Sequence, residues 1–343
     1  MNMNIKELAL SELQSIIESW GYKRFAASQV FSWMYKKGIE DFSEMSNLAV
    51  PLRAKLKERF YLSGASVAEK LVSRDGTQKI LFRLKDGNYI ESALIPAEGR
   101  VTGCVSSQAG CKYACVFCAS GLAGFKRDLS CGEIIDEVFL LKKNSPGHKL
   151  THLVFMGTGE PLDNYDNVLK AIRIINSPES FHIGARRITI STSGLIPGIK
   201  RLSGEGLQIE LSVSLHAADD SVRTKIMPVN KKYPLKDLRG ACKDYINKTN
   251  RQITFEYVLI KGVNDDLRSA EKLCTLIRGL NAKVNLILSN NVPECGFEPP
   301  DKKTAAAFKN RLAANGIQVT VRASRGEDIQ AACGQLRLRH EQK

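Results

Sequence analysis

Apolar residues recur at helical spacing near the start of the chain. They predict helices over Ile5–Trp20, stopped by Gly21, over Ala26–Lys37, ended by Gly38, and over Asn47–Phe60. The third carries Arg53, Lys55, Lys57 and Arg59, a basic face suited to RNA or simply to solvent. The period then changes to alternation. VAEKLVS, QKILFRL and YIESALI read as three short strands joined by Asp75-Gly76 and Asp86-Gly87, both strong hairpin-turn signals. From Arg100 onward, strands alternate with helices. TGCVSS, THLVFM, RITIST, QIELSVSLH, RQITFEYVLI, KVNLIL and IQVTVRA are strands, and Cys131–Lys143, Asn164–Asn176, Ile196–Leu202, a segment from Leu235, Leu267–Leu280 and Lys302–Asn315 are helices. Repeated βα units imply a parallel sheet, and six or seven of them suit a partial (βα)6-type barrel better than a closed eight-fold one. The expected organisation is an α/β fold with four parts. These are a small N-terminal helical domain (residues 1–64), a short antiparallel β extension (65–99), the partial barrel (100–334) and a basic tail (335–343).

The charge narrows the partners. A formal net charge of +14 with pI near 9.3, in an ordinary globular composition, points to polyanions and to nucleic acid first. No apolar run reaches the ~18 residues expected of a membrane span, and the start MNMNIKELALSEL lacks the apolar core of a signal peptide. The expectation is a cytoplasmic protein without membrane contact. Nine cysteines, an odd number, argue against a structural disulfide framework and for metal binding or catalysis. Cys131, Cys242, Cys274 and Cys295 have no ligand-like neighbours and read as small buried hydrophobes.

Chemistry concentrates in GCKYACVFCAS, where Cys111, Cys115 and Cys118 are spaced C-x3-C-x2-C. Three thiolates would fill three corners of a [4Fe–4S] cube and leave one iron open to chelate a small molecule; a structural zinc site completed by Cys104 or a distant His is the alternative. The other unusual residues fall at strand ends, where barrels place function. Gly157-Thr158-Gly159-Glu160 follows THLVFM, with glycines that allow close approach to a ligand and a carboxylate able to hold an ammonium group. Ser191-Thr192-Ser193-Gly194, Ser214-Leu215-His216 and Asn290 end the next strands. Taken singly, each of these suits a cap or a satisfied backbone equally well. Cys104 and Cys333 stand apart, the first seven residues before Cys111 and the second near the end of the chain.

The joint pattern GC-x3-C-x2-CASG, FMGTGEPL, STSG, SLHA, VNDD and RGEDIQAACGQL resembles the RlmN/Cfr family of radical S-adenosylmethionine (SAM) RNA methyltransferases. The likeness extends to FAASQVFSWMYKKG and DGNYIESALIP, and so over nearly the whole chain. At 286–291 this chain has LILSNN, where the family has a proline and then an aromatic residue or Met before the Asn. The resemblance implies a radical SAM barrel with one [4Fe–4S] cluster on Cys111, Cys115 and Cys118. It implies SAM contacts from Gly159, Glu160, Ser191, Ser214, Leu215, His216 and Asn290, with two SAM consumed per methylation. Cys333 would carry the methyl group, Cys104 would be its disulfide partner, and Glu91 would be the proton acceptor, a role the Cys104 thiolate could also fill. The implied reaction is methylation of C2 of adenine 2503 in 23S rRNA and of adenine 37 in some tRNAs, with C8 methylation of the same ribosomal adenine, as in Cfr, as the alternative. The implied partners are these RNAs and an external electron donor of flavodoxin or ferredoxin type, acting on a monomer.

Overall fold

In the computed structural model, residues 2–122, 124–145, 147, 149–288, 296–322, 325–329 and 335–341 are described. Ten strands form one sheet: β1 Ala65–Val72, β2 Gln78–Leu84, β3 Tyr89–Ala97, β4 Arg100–Cys104, β5 His152–Phe155, β6 Ile188–Thr192, β7 Glu210–Ser214, β8 Ile253–Leu259, β9 Ala282–Leu288 and β10 Gln318–Arg322. Their spatial order follows their chain order. A singly wound sheet of this kind results when each right-handed crossover advances by one strand, as in a barrel. β1 to β4 pair antiparallel and β4 to β10 parallel. The extension therefore shares the barrel's sheet, through β3 against β4. Helices Cys131–Asn144, Tyr165–Asn176, Ile196–Leu202, Leu235–Thr249, Leu267–Ile277 and Lys302–Ala314 make the crossovers. β10 is an edge strand, largely exposed.

Alternation along the strands sets the two faces. Ile190, Leu211, Val213, Phe255, Tyr257, Val284 and Leu286 are buried on one face, while Ser191, Ser212, Ser214, Glu256 and Asn285 share the other. Cys131, Cys242 and Cys274 are buried, as their sequence surroundings suggest; Cys295 lies outside the described residues.

The N-terminal part is helical over Leu10–Ser19, Phe25–Phe31 (continued by a π-helical segment, Ser32–Lys37) and Val50–Arg59. It docks on the first crossover helix through a buried carboxylate. Asp136 accepts from Lys6 Nζ at 2.5 Å, Asn4 Nδ2 at 3.0 Å and the Gly64 amide at 2.6 Å. Asp41 and Ser130 cap a 3-10 turn and the helix Cys131–Asn144 with their side-chain oxygens.

Most of the stretch read as a basic tail (335–343) is helical among the described residues. Gln335–Glu341 forms a helix with Gln335, Leu336 and Arg337 buried, packed on β3 and on the short helix Ala119–Leu122. Burial of its first turn overrides the polar composition of LRLRHEQK.

Candidate active site

The loop after β4 is built by close backbone approach. A two-stranded ribbon, Gln108–Gly110 with Phe125–Asp128, forms its base. Gly110 has φ +91, and a Cβ there would lie 1.9 Å from the Gly124 carbonyl oxygen, so only glycine closes this base. The Cys111 amide donates to that same oxygen at 3.1 Å. Between these ends run the three cysteines, turning at Ala114 (φ 48), with the Cys118 amide on the Cys115 carbonyl at 3.1 Å. Burial pushes the Cys111 thiol up to about 12 and the Cys115 thiol higher; each thiolate would also repel its neighbours. No three His, Cys, Asp or Glu side chains among the described residues converge as they stand on one metal position. The donor set nonetheless fits an iron–sulfur cluster: three soft, half-buried thiols on one closed loop, whose thiolate forms need a cationic centre.

Across the loop, Gly157 and Gly159 meet protein rather than open space. A Cβ would come within 2.7 Å of the Val105 backbone at Gly157 and 2.6 Å of Gln108 Cβ at Gly159. Their glycine requirement is thus set by the packing of β5's end on the cysteine loop. Glu160 is buried, and burial raises its pKa against several hydrogen bonds. It accepts from the Ser193 amide at 2.7 Å, Ser193 Oγ at 2.8 Å and the Leu162 amide at 3.0 Å, and also from the Thr192 side chain. A carboxylate offers about four acceptor sites, so an ammonium would have to share them. In this structure Glu160 joins the end of β5 to the end of β6.

Ser191 and Ser214 are half-buried on the inner face, and Leu215 is buried with its amide on the Glu256 carbonyl at 3.0 Å. His216 adopts φ 56, and its Nδ1 accepts from the Val258 amide at 3.0 Å, leaving the proton on Nε2. Burial, with Arg223 nearby, drives its pKa down to about 3. Its ring meets Phe117 of the cysteine loop edge-on at 4.8 Å between centroids. Asn290 lies outside the described residues.

On the other side, Cys104 pairs with Ala93 of β3, which shares a face with Glu91 and with Lys79 of β2. Ser92 and Gly103 point the opposite way, towards Glu137 and Leu141 of the first crossover helix. Cys104 and Glu91 therefore share the inner face, and both are buried. Glu91 is ion-paired to Lys79 Nζ at 2.7 Å and also accepts from the Arg337 amide in the first turn of the C-terminal helix. A carboxylate there is favoured by the helix dipole. Before that helix, Asp328 accepts from Ser73 Oγ at 2.5 Å and the Arg74 amide at 3.0 Å, and Asp75 accepts from the Gly326 amide at 3.2 Å. Cys333 lies outside the described residues; the stretches on either side of it are held by β1–β3 and the turn Ser73–Thr77.

Sequence reasoning missed three features. Gln108, fully buried, bridges Asp128 at 2.8 Å and Asp163 at 3.0 Å while accepting from the Glu160 amide. Glu256, Asn285 and Thr320 form a polar row beside Ser214. Arg223 is fully buried on the helix Asp220–Ile226. Only the alternation of β8 and β9 could have revealed the row; an isolated Gln or Arg carries no local signal.

Comparison with known proteins adds the following. Residues 3–62 match the model of the ribosomal RNA large subunit methyltransferase N-terminal domain, and residues 105–274 that of the radical SAM superfamily. The chain is 45% identical over 338 residues to a probable dual-specificity RNA methyltransferase RlmN of Thermoanaerobacter sp. (strain X514), covering 98% of each. Its counterpart from Thermotoga neapolitana is 44% identical, again over 98% of each chain. The crystal structure of a radical SAM methyltransferase from Sphaerobacter thermophilus superposes with a TM-score of 0.94 at 43% identity, covering 97% of this chain and 98% of that one.

Proposed function

The chain belongs to the RlmN family of radical SAM dual-specificity RNA methyltransferases, and from that premise we propose that it methylates C2 of adenine 2503 in 23S rRNA and of adenine 37 in some tRNAs. The observation that supports this reading best is the shared inner face of Cys104 and Glu91, with the amide of Arg337, four residues after Cys333, donating to the Glu91 carboxylate.

Adenine C2 is an electron-poor aromatic carbon and no nucleophile, so direct transfer from the SAM sulfonium fails. The family implies a [4Fe–4S] cluster and SAM; Cys111, Cys115 and Cys118 would hold the cluster, and together cluster and SAM supply an organic radical able to take a hydrogen atom from a C–H bond. Gly159, Glu160, Ser191, Ser214, Leu215, His216 and Asn290 would hold SAM, one molecule as methyl donor and one as radical source. His216, kept neutral by burial, would add no positive charge to a SAM site. The Cys333 thiolate would accept the methyl group by displacement at the sulfonium, and that methyl carbon would then bond to C2. Glu91, held by Lys79 beside Cys104, would take the C2 proton. The Cys104 thiolate would attack the Cys333 sulfur, forming an S–S bond as the S–C bond to the RNA breaks; the freed carbon would take up a proton to become the methyl group, the one electron left from the radical addition would return to the redox centre that supplied it, and an external donor of flavodoxin or ferredoxin type would return the disulfide to two thiols. The target adenine must be splayed from its neighbours, as in RNA loops, and the excess of Lys and Arg serves the phosphates. Such an enzyme works in the cytoplasm, as a monomer. Among the described residues no helix is long and apolar enough to cross a membrane.

Mapping methylated adenines by mass spectrometry, in RNA from cells with and without this protein, tests the reading. The expected result is 2-methyladenosine at both positions, lost with the protein. 8-Methyladenosine would establish the Cfr-type reaction, and unchanged RNA would contradict both.

A further inference from the structure

Arg223 brings a full charge into the interior. It is 0% exposed, one of two arginines that are the largest fully buried side chains among the described residues. Its hydrogen-bond acceptors are all neutral. Nε donates to the Leu215 carbonyl at 3.0 Å, Nη1 to Asn230 Oδ1 at 2.8 Å, and Nη2 to the Ser193 and Ser214 carbonyls at 2.7 and 3.1 Å. A buried charge costs several kcal/mol unless an opposite charge offsets it. The fixed fork of the guanidinium explains the geometry, because it spans the carbonyls that follow β6 and end β7. It does not explain the charge.

A carboxylate, Asp220, is linked to the guanidinium only through Asn230, whose Nδ2 donates to Asp220 Oδ1 at 2.8 Å, and a second source of negative charge lies next door. The amide of Val116, in the cysteine loop, donates to the Ile226 carbonyl at 3.1 Å, which seats that loop against the helix carrying Arg223. Cys115 lies one residue before Val116 in that loop, and a thiolate there would favour the charged guanidinium. Burial draws the guanidinium down to about 10, which still leaves it charged at neutral pH. Thiolates at Cys111, Cys115 and Cys118 would supply negative charge to a cluster assembly, and each electron added makes it more negative; net charge is one of the terms that set a cluster's potential.

We propose that Arg223 is a positioning residue of the cluster site with two separable duties: its fork fixes the chain ends after β6 and β7, and its buried charge balances the assembly held by Cys111, Cys115 and Cys118. The assignment rests on the cluster reading above. Fork and charge separate in two variants, since Arg223→Lys keeps the charge without the fork and Arg223→Gln keeps hydrogen bonds without the charge.

Three measurements on full-length protein reconstituted anaerobically decide it: iron content, the midpoint potential of the cluster, and the change in the reduced cluster's electron paramagnetic resonance spectrum on adding SAM. Thermal melts of the cluster-free chains run alongside. Arg223→Gln is expected to make reduction at least about tenfold less favourable, 59 mV for one electron. Arg223→Lys is expected to keep the wild-type potential but to need about tenfold more SAM for the spectral change. Loss of iron from Arg223→Gln, with a wild-type melt of its cluster-free chain and full loading of Arg223→Lys, would also support the charge duty. A loaded Arg223→Gln with the wild-type potential overturns the charge duty, and wild-type SAM response in Arg223→Lys overturns the positioning duty. Cluster-free chains of both variants that fail to fold would make Arg223 a plain structural strut, and the proposal falls. A wild-type chain that takes up no iron removes the cluster reading itself, and this assignment with it.

Discussion

At the ends of β5, β6 and β7, groups are fixed by near neighbours. Glycines let backbone meet backbone, Glu160 splices two strand ends, and Arg223 gathers the carbonyls of three residues. Across the inner face, on β1–β3, the decisive contacts join residues 246 to 255 positions apart: Glu91 with Arg337 and Ser73 with Asp328. The first region suits groups that must stay still, and its contacts hold whatever the rest of the chain does. The second is a platform, and it has a purpose only when the C-terminal segment lies on it. A reaction in which one cysteine must meet SAM, RNA and a second thiol in turn uses both kinds of support. In the proposed reaction the cysteine-loop side would fix positions, and the platform side would present the carrier.

The largest effect that would sharpen this contrast is at Glu91. Replacing it with Ala strips the carboxylate from a buried ammonium, Lys79, and an acceptor from the first turn of the C-terminal helix. Urea denaturation should show a loss of about 3–5 kcal/mol, the usual cost of breaking a buried pair. A loss below about 1 kcal/mol would mean that the platform does not depend on this pair.

His216 tests the still side through pH. Its folded pKa, about 3, lies below the ordinary 6.5. As pH falls below 6.5 the unfolded chain binds a proton that the folded chain refuses. The stability that His216 contributes is therefore full above about pH 6.5 and lost between there and pH 3, at up to about 1.4 kcal/mol per unit. His216→Gln should flatten urea midpoints measured from pH 7 to 4 relative to wild type; parallel curves would contradict the neutral imidazole.

The smallest expected effect is at Asp328, whose carboxylate holds the turn after β1 from the surface. Asp328→Asn should leave the melting temperature unchanged while amides of Gln335–Glu341 exchange about fivefold faster, as local opening predicts. Equal exchange would show that the latch does not hold the helix.

The contrast also explains what the sequence could reveal. The cysteine triplet, the strand ends and every strand of the sheet rest on local signals: spacing, alternation, and the turns Asp75-Gly76 and Asp86-Gly87. Those signals placed Ser191, Ser214 and His216 around one inner face. The tertiary reasons behind a motif were less legible. Gly157 and Gly159 suggested room for a ligand, whereas Val105 and Gln108 fill that space. Glu160 suggested an ammonium site, but nothing local showed that Ser193, Thr192 and Leu162 already share its lone pairs. The helix Gln335–Glu341 was hidden altogether. Its seven residues carry a basic composition that local reasoning assigns to solvent, and only burial against β3 makes it a helix.

In the proposed reaction Cys333 would carry the transferred carbon and Cys104 would release it. Denaturing gel electrophoresis of Cys333→Ala and Cys104→Ala proteins purified from cells, each with and without nuclease, tests it most directly. On the proposed roles, nothing would bond to RNA without Cys333; without Cys104 the carbon could bond to C2, but no thiol would free it. A nuclease-sensitive protein–RNA adduct in Cys104→Ala alone is the predicted result. Identical behaviour of the two variants, with an adduct in neither or in both, would contradict it.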